Sequence, residues 1–164
     1  MAKLSDLHPS GSGKPLLLAA VLAIGGLGLP DAIHATSEGN AVAREAFANA
    51  EQFRANHDVR SARIELMNAI KADPAWVKAR VAQTEVLLRL RDGIGAEAEI
   101  ERAIELGLPP GAARHLLGHA LLLQGKTEKA REQLAAADIA PQHQGYAARI
   151  MGRVALQTGD TAMA

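Results

Sequence analysis

The sequence predicts an all-α fold, a solenoid of antiparallel helix pairs, from three observations. Alanine recurs every 34 residues at Ala62, Ala96, Ala130 and Ala164, and again seven places on at Ala69, Ala103 and Ala137. Glycine keeps that interval at Gly118 and Gly152 and at Gly125 and Gly159, while Asp58, Asp92 and Asp160 keep it with Lys126 in the missing slot. Alanine and leucine dominate the composition, only Phe47, Phe53, Trp76 and Tyr146 are aromatic, and no run alternates β-branched with polar residues, so strand content should be close to nil. A helix pair cannot bury its apolar stripe alone, and each copy places small residues where neighbouring backbones approach closely. Length here counts repeats rather than one central core, and such an array favours docking over chemistry.

The first 40 residues stand outside the repeats and have the layout of an export leader and linker. Lys3 and Lys14 precede an uncharged stretch, residues 16–29, which Pro30 and Asp31 close. As a helix this stretch rises about 21 Å against a hydrocarbon core of ~30 Å, so it fits the core of a signal peptide better than a membrane span. Cleavage is expected after Ala35, with Ile33 two residues earlier and residues 36–40 as a polar linker. The expected location is the periplasm or beyond; the alternatives are an inner-membrane anchor formed by an uncleaved leader, or the cytoplasm. Membrane association is expected only through this apolar segment.

From residue 41 onward the chain parses into helix, turn, helix, as copies at 43–76, 77–110, 111–144 and an incomplete 145–164. The first copy places helices at 41–55 and 59–72, with Ala46, Asn49, Ala50 and Phe53 on one stripe and Ala62, Leu66, Ala69 and Ile70 on the other. Asp58 caps the second helix and Pro74 stops it. Helices are expected next at 76–91 and 94–106, with Asp92 as cap and Gly107, Pro109 and Pro110 as terminators, and then at 112–124 and 127–138. A last helix begins near His143 and turns at Gly159 and Asp160. Ala164 sits near the first turn of the helix that would follow, so the array is expected to be interrupted there, leaving Ile150, Val154 and Leu156 short of a partner.

These residues resemble the tetratricopeptide repeats, whose unit carries small residues at positions eight, twenty and twenty-seven and a proline near thirty-two. Ala50, Ala62, Ala69 and Pro74 match in the first copy, Thr84, Ala96 and Ala103 in the second, Gly118, Ala130 and Ala137 in the third, and Gly152 and Ala164 in the fourth. The resemblance implies a right-handed superhelical solenoid of about three and a half repeats. Residues 62–74, 95–103 and 116–125 are similar, more narrowly, to the exported tetratricopeptide proteins of the PEP-CTERM exopolysaccharide and protein-sorting systems of Gram-negative bacteria. In the family, outward positions of each first helix line a concave groove. Carried onto this chain, those positions are Arg44, Glu51 and Arg54, then Lys78, Glu85 and Arg89, then His115 and His119, then Tyr146, Arg149, Arg153 and Gln157. Such a groove is polar with a basic excess and would suit an extended or helical segment of a partner protein, particularly one bearing carboxylates that arginine grips through two hydrogen bonds.

Lys plus Arg equals Asp plus Glu at 18 each, so no global field attracts nucleic acid, and none is expected as a partner. Without cysteine there is no disulfide and no thiolate metal site. His115 and His119, four apart on one helix, share a face, but two imidazoles are too few for a metal and a third ligand would have to come from another copy, such as Glu85. Their simpler role is neutral, hydrogen-bonding groove surface. Glu97, Glu99, Glu101 and Glu105 are expected mostly on a solvated helix face, with Glu101 and Glu105 unpaired. The serines have no histidine and acid in a triad pattern, and Gly107-Leu108-Pro109-Pro110-Gly111 lacks the Lys-Ser/Thr of a phosphate loop. No catalytic, cofactor or metal residue is expected, and the chain reads as a scaffold rather than an enzyme.

Two functions follow from this reading. One is an exported protein-interaction scaffold in cell-envelope or exopolysaccharide assembly. The alternative is the regulatory front end of a longer sulfotransferase or glycosyltransferase whose catalytic domain lies outside these residues. Fused to a periplasm-dependent reporter in a Gram-negative host, residues 1–40 should carry it out of the cytoplasm with loss of a leader ending near Ala35; reporter retained inside with an intact N-terminus would refute the leader.

Overall fold

The computed structural model describes residues 38–159, all of whose regular structure is helical: α1 (Ala41–Ala55), α2 (Val59–Ala72), α3 (Val77–Arg89), α4 (Gly93–Glu105), α5 (Pro110–Leu123), α6 (Thr127–Leu134) and α7 (Pro141–Thr158). The leader, its cleavage position at Ala35, Asp160 and Ala164 lie outside the described residues. Among the described residues no helix is long and apolar enough to cross a membrane.

Local chemistry sets the helix starts. The side chain of Asn40 accepts from Ala43 N at 2.9 Å, Asp58 from Ser61 N at 3.1 Å and Asp92 from Gly95 N at 2.9 Å, each satisfying a donor that the first turn leaves orphaned. Lys126 occupies the equivalent place before α6 and has no acceptor to offer, so that helix starts without a side-chain cap. Proline opens α5 at Pro110 and α7 at Pro141, where the missing N–H costs nothing.

The 34-residue interval reappears in the backbone. His57, Arg91, Gly125 and Gly159 have φ of 62°, 61°, 74° and 75°, so α1, α3, α5 and α7 are each followed by a left-handed residue, and after the first three the next residue stands at the N-cap position of α2, α4 or α6. This tight reversal folds α2 back on α1: Ala43 and Ala46 near the start of α1 meet Ala69 near the end of α2, while Ala50 near its end meets Ala62 near the start of α2. Each helix packs against its neighbours in sequence, and α3 with α5 and α5 with α7 also touch. The apolar interior is accordingly spread along the chain, from the Ala43–Trp76 and Ala50–Val86 groups through Leu87, Ile100 and Leu116 to Leu121, Leu134 and Val154.

Small residues mark the closest approaches. Ala62, Ala69, Ala96, Ala103 and Ala130 are fully buried, and a Cβ added to Gly118 would lie 2.6 Å from Leu134 Cγ. At Gly111 it would lie 2.1 Å from the Asp138 carbonyl oxygen, which explains where the regular pattern breaks. Helix α6 stops at Leu134 instead of running to residue 138, and Ala137 is exposed rather than packed. The chain leaves α6 early to cross the start of α5, where Ala140 N donates to Gly111 O at 3.2 Å and Arg114 Nε to Asp138 Oδ1 at 2.5 Å. Asn49 and Leu156 also turn outward, Leu156 with 73% of its surface exposed, because the buried stripes are carried by Ala46 and Ala50 in α1 and by Ala147, Ile150 and Val154 in α7.

Two of the four glutamates of α4, Glu97 and Glu99, are tied to neighbouring elements, while Glu101 and Glu105 lie on the exposed face. Glu99 accepts from Arg80 Nη1 at 2.7 Å, and the same guanidinium donates to Pro74 O, so one buried arginine joins α4 to the turn between α2 and α3. Glu97 accepts from Gln124 Nε2 at 2.7 Å and Lys126 Nζ at 2.9 Å, which hold its carboxyl below the usual glutamate range. Glu105 pairs with Arg102 at 2.6 Å, so it is not unpaired. Ala103→Leu, placed where no volume is free, should cost about 1–3 kcal/mol by overpacking, while Ala98→Leu on the exposed side of α4 should cost far less; equal losses in urea melts would contradict this packing register.

Candidate docking surface

Most of the predicted groove residues fall into two groups. Arg44, Glu51, Arg54, Lys78 and Glu85 line one open cleft of about 930 Å³ between α1 and α3. Its floor is apolar, made by Phe47, Trp76, Val77, Val81, Ala82 and Leu108, and Glu38 stands at its edge. Phe47 and Trp76 pack with ring centroids 4.8 Å apart, and Gly39, at φ +76°, lies so close to the indole that a Cβ there would be 2.8 Å from it. Lys78 Nζ sits 5.0 Å above the Phe47 ring, a cation held by the ring face rather than by a carboxylate. Arg44 Nη1 donates to Gly39 O at 2.8 Å. Arg54 bridges two acids, donating to Glu51 Oε1 at 2.6 Å and to Glu85 across the cleft on α3.

The second group gathers where α5 meets α7. His119 Nδ1 and the Tyr146 hydroxyl are 2.6 Å apart, and Arg153 Nη1 lies 3.2 Å from His119 Nε2. A guanidinium can only donate, so Nε2 must be the acceptor and Nδ1 carries the proton that it donates to Tyr146. Arg149 lies over the Tyr146 ring with its guanidinium carbon 4.9 Å from the centroid. Burial, with Arg153, Arg149 and Arg91 nearby, pushes His119 down to about 4. Burial raises the Tyr146 hydroxyl; Arg149 opposes that shift and Glu85 adds to it, so charge at the cleft edge is felt at α7.

His115 belongs to neither group as surface. It is 5% exposed, with its ring stacked on His143 at 3.9 Å between centroids and 10° between planes, and edge-on to Tyr146 at 5.3 Å. The expectation of groove surface therefore fails for His115, because α7 lies across it. Burial, reinforced by His143, pushes His115 down to about 4. The stack also turns the two imidazole faces, not their lone pairs, toward each other, and Glu85 is engaged by Arg54; among the described residues no three His, Cys, Asp or Glu side chains converge as metal ligands would. Arg89 is exposed at the end of α3 and lines neither depression, whereas Gln157 and Arg153 line a shallow pocket of about 410 Å³ with Arg91, Leu122, Leu123 and Leu156.

Four residues of this surface escaped sequence reasoning. Phe47 and Trp76 carry no groove position in the repeat pattern, and Arg91, expected at the end of the helix 76–91, lies in the turn after α3. His143 marks only the expected start of the last helix, which in the structure begins at Pro141. The signal that could have found Arg91 is its register: it takes the left-handed place held by His57, Gly125 and Gly159. No family model matches the chain, and no curated protein matches it significantly.

Buried His115 and half-buried His119 are both favoured neutral in the fold, so between pH of about 4 and 6.5 the unfolded chain binds more protons. Stability is then fully present above pH of about 6.5 and falls as pH drops toward 4, by up to roughly 3 kcal/mol from His115 alone. His115→Phe keeps a stackable ring without a titrating nitrogen. Urea midpoints of that variant should drop less than wild type between neutral and mildly acidic pH, and parallel losses would remove His115 as the source.

Proposed function

We propose that this chain is a non-catalytic scaffold that docks an extended segment of a partner protein along the face made by α1, α3, α5 and α7, in a right-handed superhelical array of the tetratricopeptide kind. The observation that carries the proposal is the open cleft with an aromatic and aliphatic floor, Phe47, Trp76, Val81 and Leu108, at the α1–α3 end, together with a cluster of cations at the α5–α7 end. Its bottom takes an apolar anchor side chain, and its charged walls orient the chain that carries it. Toward α7, Arg149 and Arg153 form no ion pair with any carboxylate among the described residues, so their complement is an acidic partner.

The partner chemistry is therefore an apolar residue followed by carboxylates. Adjacent helices pack about 9 Å apart, so the path over α1, α3, α5 and α7 runs about 27 Å, the reach of about eight extended residues. Export into the cell envelope, as the leader suggests, would place this docking in envelope or exopolysaccharide assembly; that part of the proposal rests on the sequence of residues 1–40.

Trp76 is the single tryptophan of the chain and borders the cleft, so it reports occupancy directly. Titration with a synthetic peptide of about eight residues alternating leucine and glutamate should shift Trp76 emission with a Kd in the micromolar range of about 1–100 μM. Lys78→Glu should weaken binding about fivefold or more while leaving the melting temperature within a few degrees. Absence of any emission change and of any heat of binding would overturn the docking proposal.

A further inference from the structure

The cation cluster at the α5–α7 end has a feature that plain electrostatics does not require. The Arg153 guanidinium is held by an uncharged acceptor, His119 Nε2 at 3.2 Å, and the other nitrogen of that ring is bonded to Tyr146. Arg153 and Arg91 border the same pocket of about 410 Å³, whose floor is Leu122, Leu123 and Leu156. That pocket has an apolar floor and two cations, and it lies beside a histidine kept neutral by its surroundings.

We propose that the Arg91–Arg153 pocket binds a carboxylate of the partner segment and that this binding is coupled to uptake of one proton by His119. The inference rests on the docking proposal above and adds a site and its regulation. In the free protein Nε2 spends its lone pair on Arg153. A carboxylate seated between Arg91 and Arg153 takes over the Arg153 N–H donor and cancels part of the field of the two guanidiniums. Nε2 is then free to accept a proton from solvent, and the imidazolium so formed donates to the same carboxylate, with Nδ1–H still donating to Tyr146. One N–H···N bond is exchanged for two charge-assisted bonds to the ligand.

The groups around His119 support the direction. On α7 it faces Tyr146, Arg149 and Arg153; from the end of α3 it faces Arg91; His115 on its own helix is turned to His143. Four carboxylates of adjoining helices are engaged elsewhere, Glu85 with Arg54, Glu97 with Gln124 and Lys126, Glu99 with Arg80, and Glu128 of α6 with Arg131, while Glu101 of α4 and Glu132 of α6 are exposed to solvent. With Arg153, Arg149 and Arg91 around it and no carboxylate bonded to it among the described residues, the ring stays neutral until an anion arrives. Since the complex holds a proton that the free protein lacks, affinity rises as pH falls.

Isothermal titration of the leucine–glutamate peptide, run in buffers of different ionisation enthalpy between about pH 7.5 and pH 5.5, tests this. The expected result is tightening by roughly threefold to tenfold over that range with net proton uptake, as the His119 pKa returns toward its ordinary value in the complex. In His119→Gln both the uptake and the pH dependence should disappear, and titration of the peptide itself is cancelled by the comparison. Arg91→Gln should weaken binding at every pH, and circular dichroism at each pH confirms that the proteins remain folded. Peptide binding without proton uptake, or uptake that persists in His119→Gln, overturns the inference and leaves the docking proposal standing; no binding at any pH overturns both.

Discussion

Close approach of helix backbones at residues with almost no side chain is the constraint on which this structure depends. Where two helices cross at alanine or glycine the backbones can draw nearer, and neighbouring leucines and isoleucines then fill the flanks. Ala62 and Ala69 do this for α2, Ala96 and Ala103 for α4, and Gly118 lets Leu134 of α6 lie directly on α5. Gly93 serves the same end on the other side, since a Cβ there would stand 2.7 Å from the Ala120 carbonyl oxygen. The left-handed turn after every first helix makes these crossings recur at one interval, because it fixes how soon the next helix starts back.

Thin contacts of this kind leave little volume for polar work inside, so charge is handled at the edges of the helix pairs. Arg80, only 8% exposed, satisfies both Pro74 O and Glu99, and Glu97 collects Gln124 and Lys126 from two elements. Toward α7 the solution changes, and aromatic rings and imidazoles take the place of ion pairs: His115 on His143, His119 on Tyr146, Arg149 over Tyr146. Uncharged acceptors can hold arginines there without neutralising them. The result is a surface with an apolar, charge-balanced cleft at the α1–α3 end and positive charge in excess at the α5–α7 end.

The helical fold was legible because period, caps and terminators agree. Helices α1 and α2 begin and end where Asp58, Pro74 and the alanine spacing place them. The second half of the third copy was not, because Ala137 keeps the interval in sequence while the chain there obeys a different demand: Gly111 leaves room for the Asp138 carbonyl, and Arg114 draws the Asp138 side chain across. A pattern of small residues permits close packing but does not compel it. Groove positions were legible as exposed or half-exposed places on α1, α3 and α7, but not their partners. That His115 is covered by His143 depends on two residues 28 apart in sequence meeting across helices. Phe47 and Trp76 likewise look like core in any periodicity argument, and only the fold shows that both border a cleft, Trp76 with almost none of its surface exposed.

Arg91 shows how far backbone geometry can be taken toward function. Glycine is the low-cost residue at a left-handed helix terminus, and a side chain there costs on the order of 1 kcal/mol. Gly125 and Gly159 avoid that cost; His57 and Arg91 accept it. The strain alone does not mark a site, since His57 bears it at φ 62° on an exposed turn. What separates Arg91 is its surroundings: it acts on His119 and borders the pocket shared with Arg153. A glycine in its place would relax the turn and remove one of the two cations that border that pocket. The same residue position is therefore a left-handed turn in all four copies and at Arg91 is also part of a charged surface, a difference made by the helices that pack beside it.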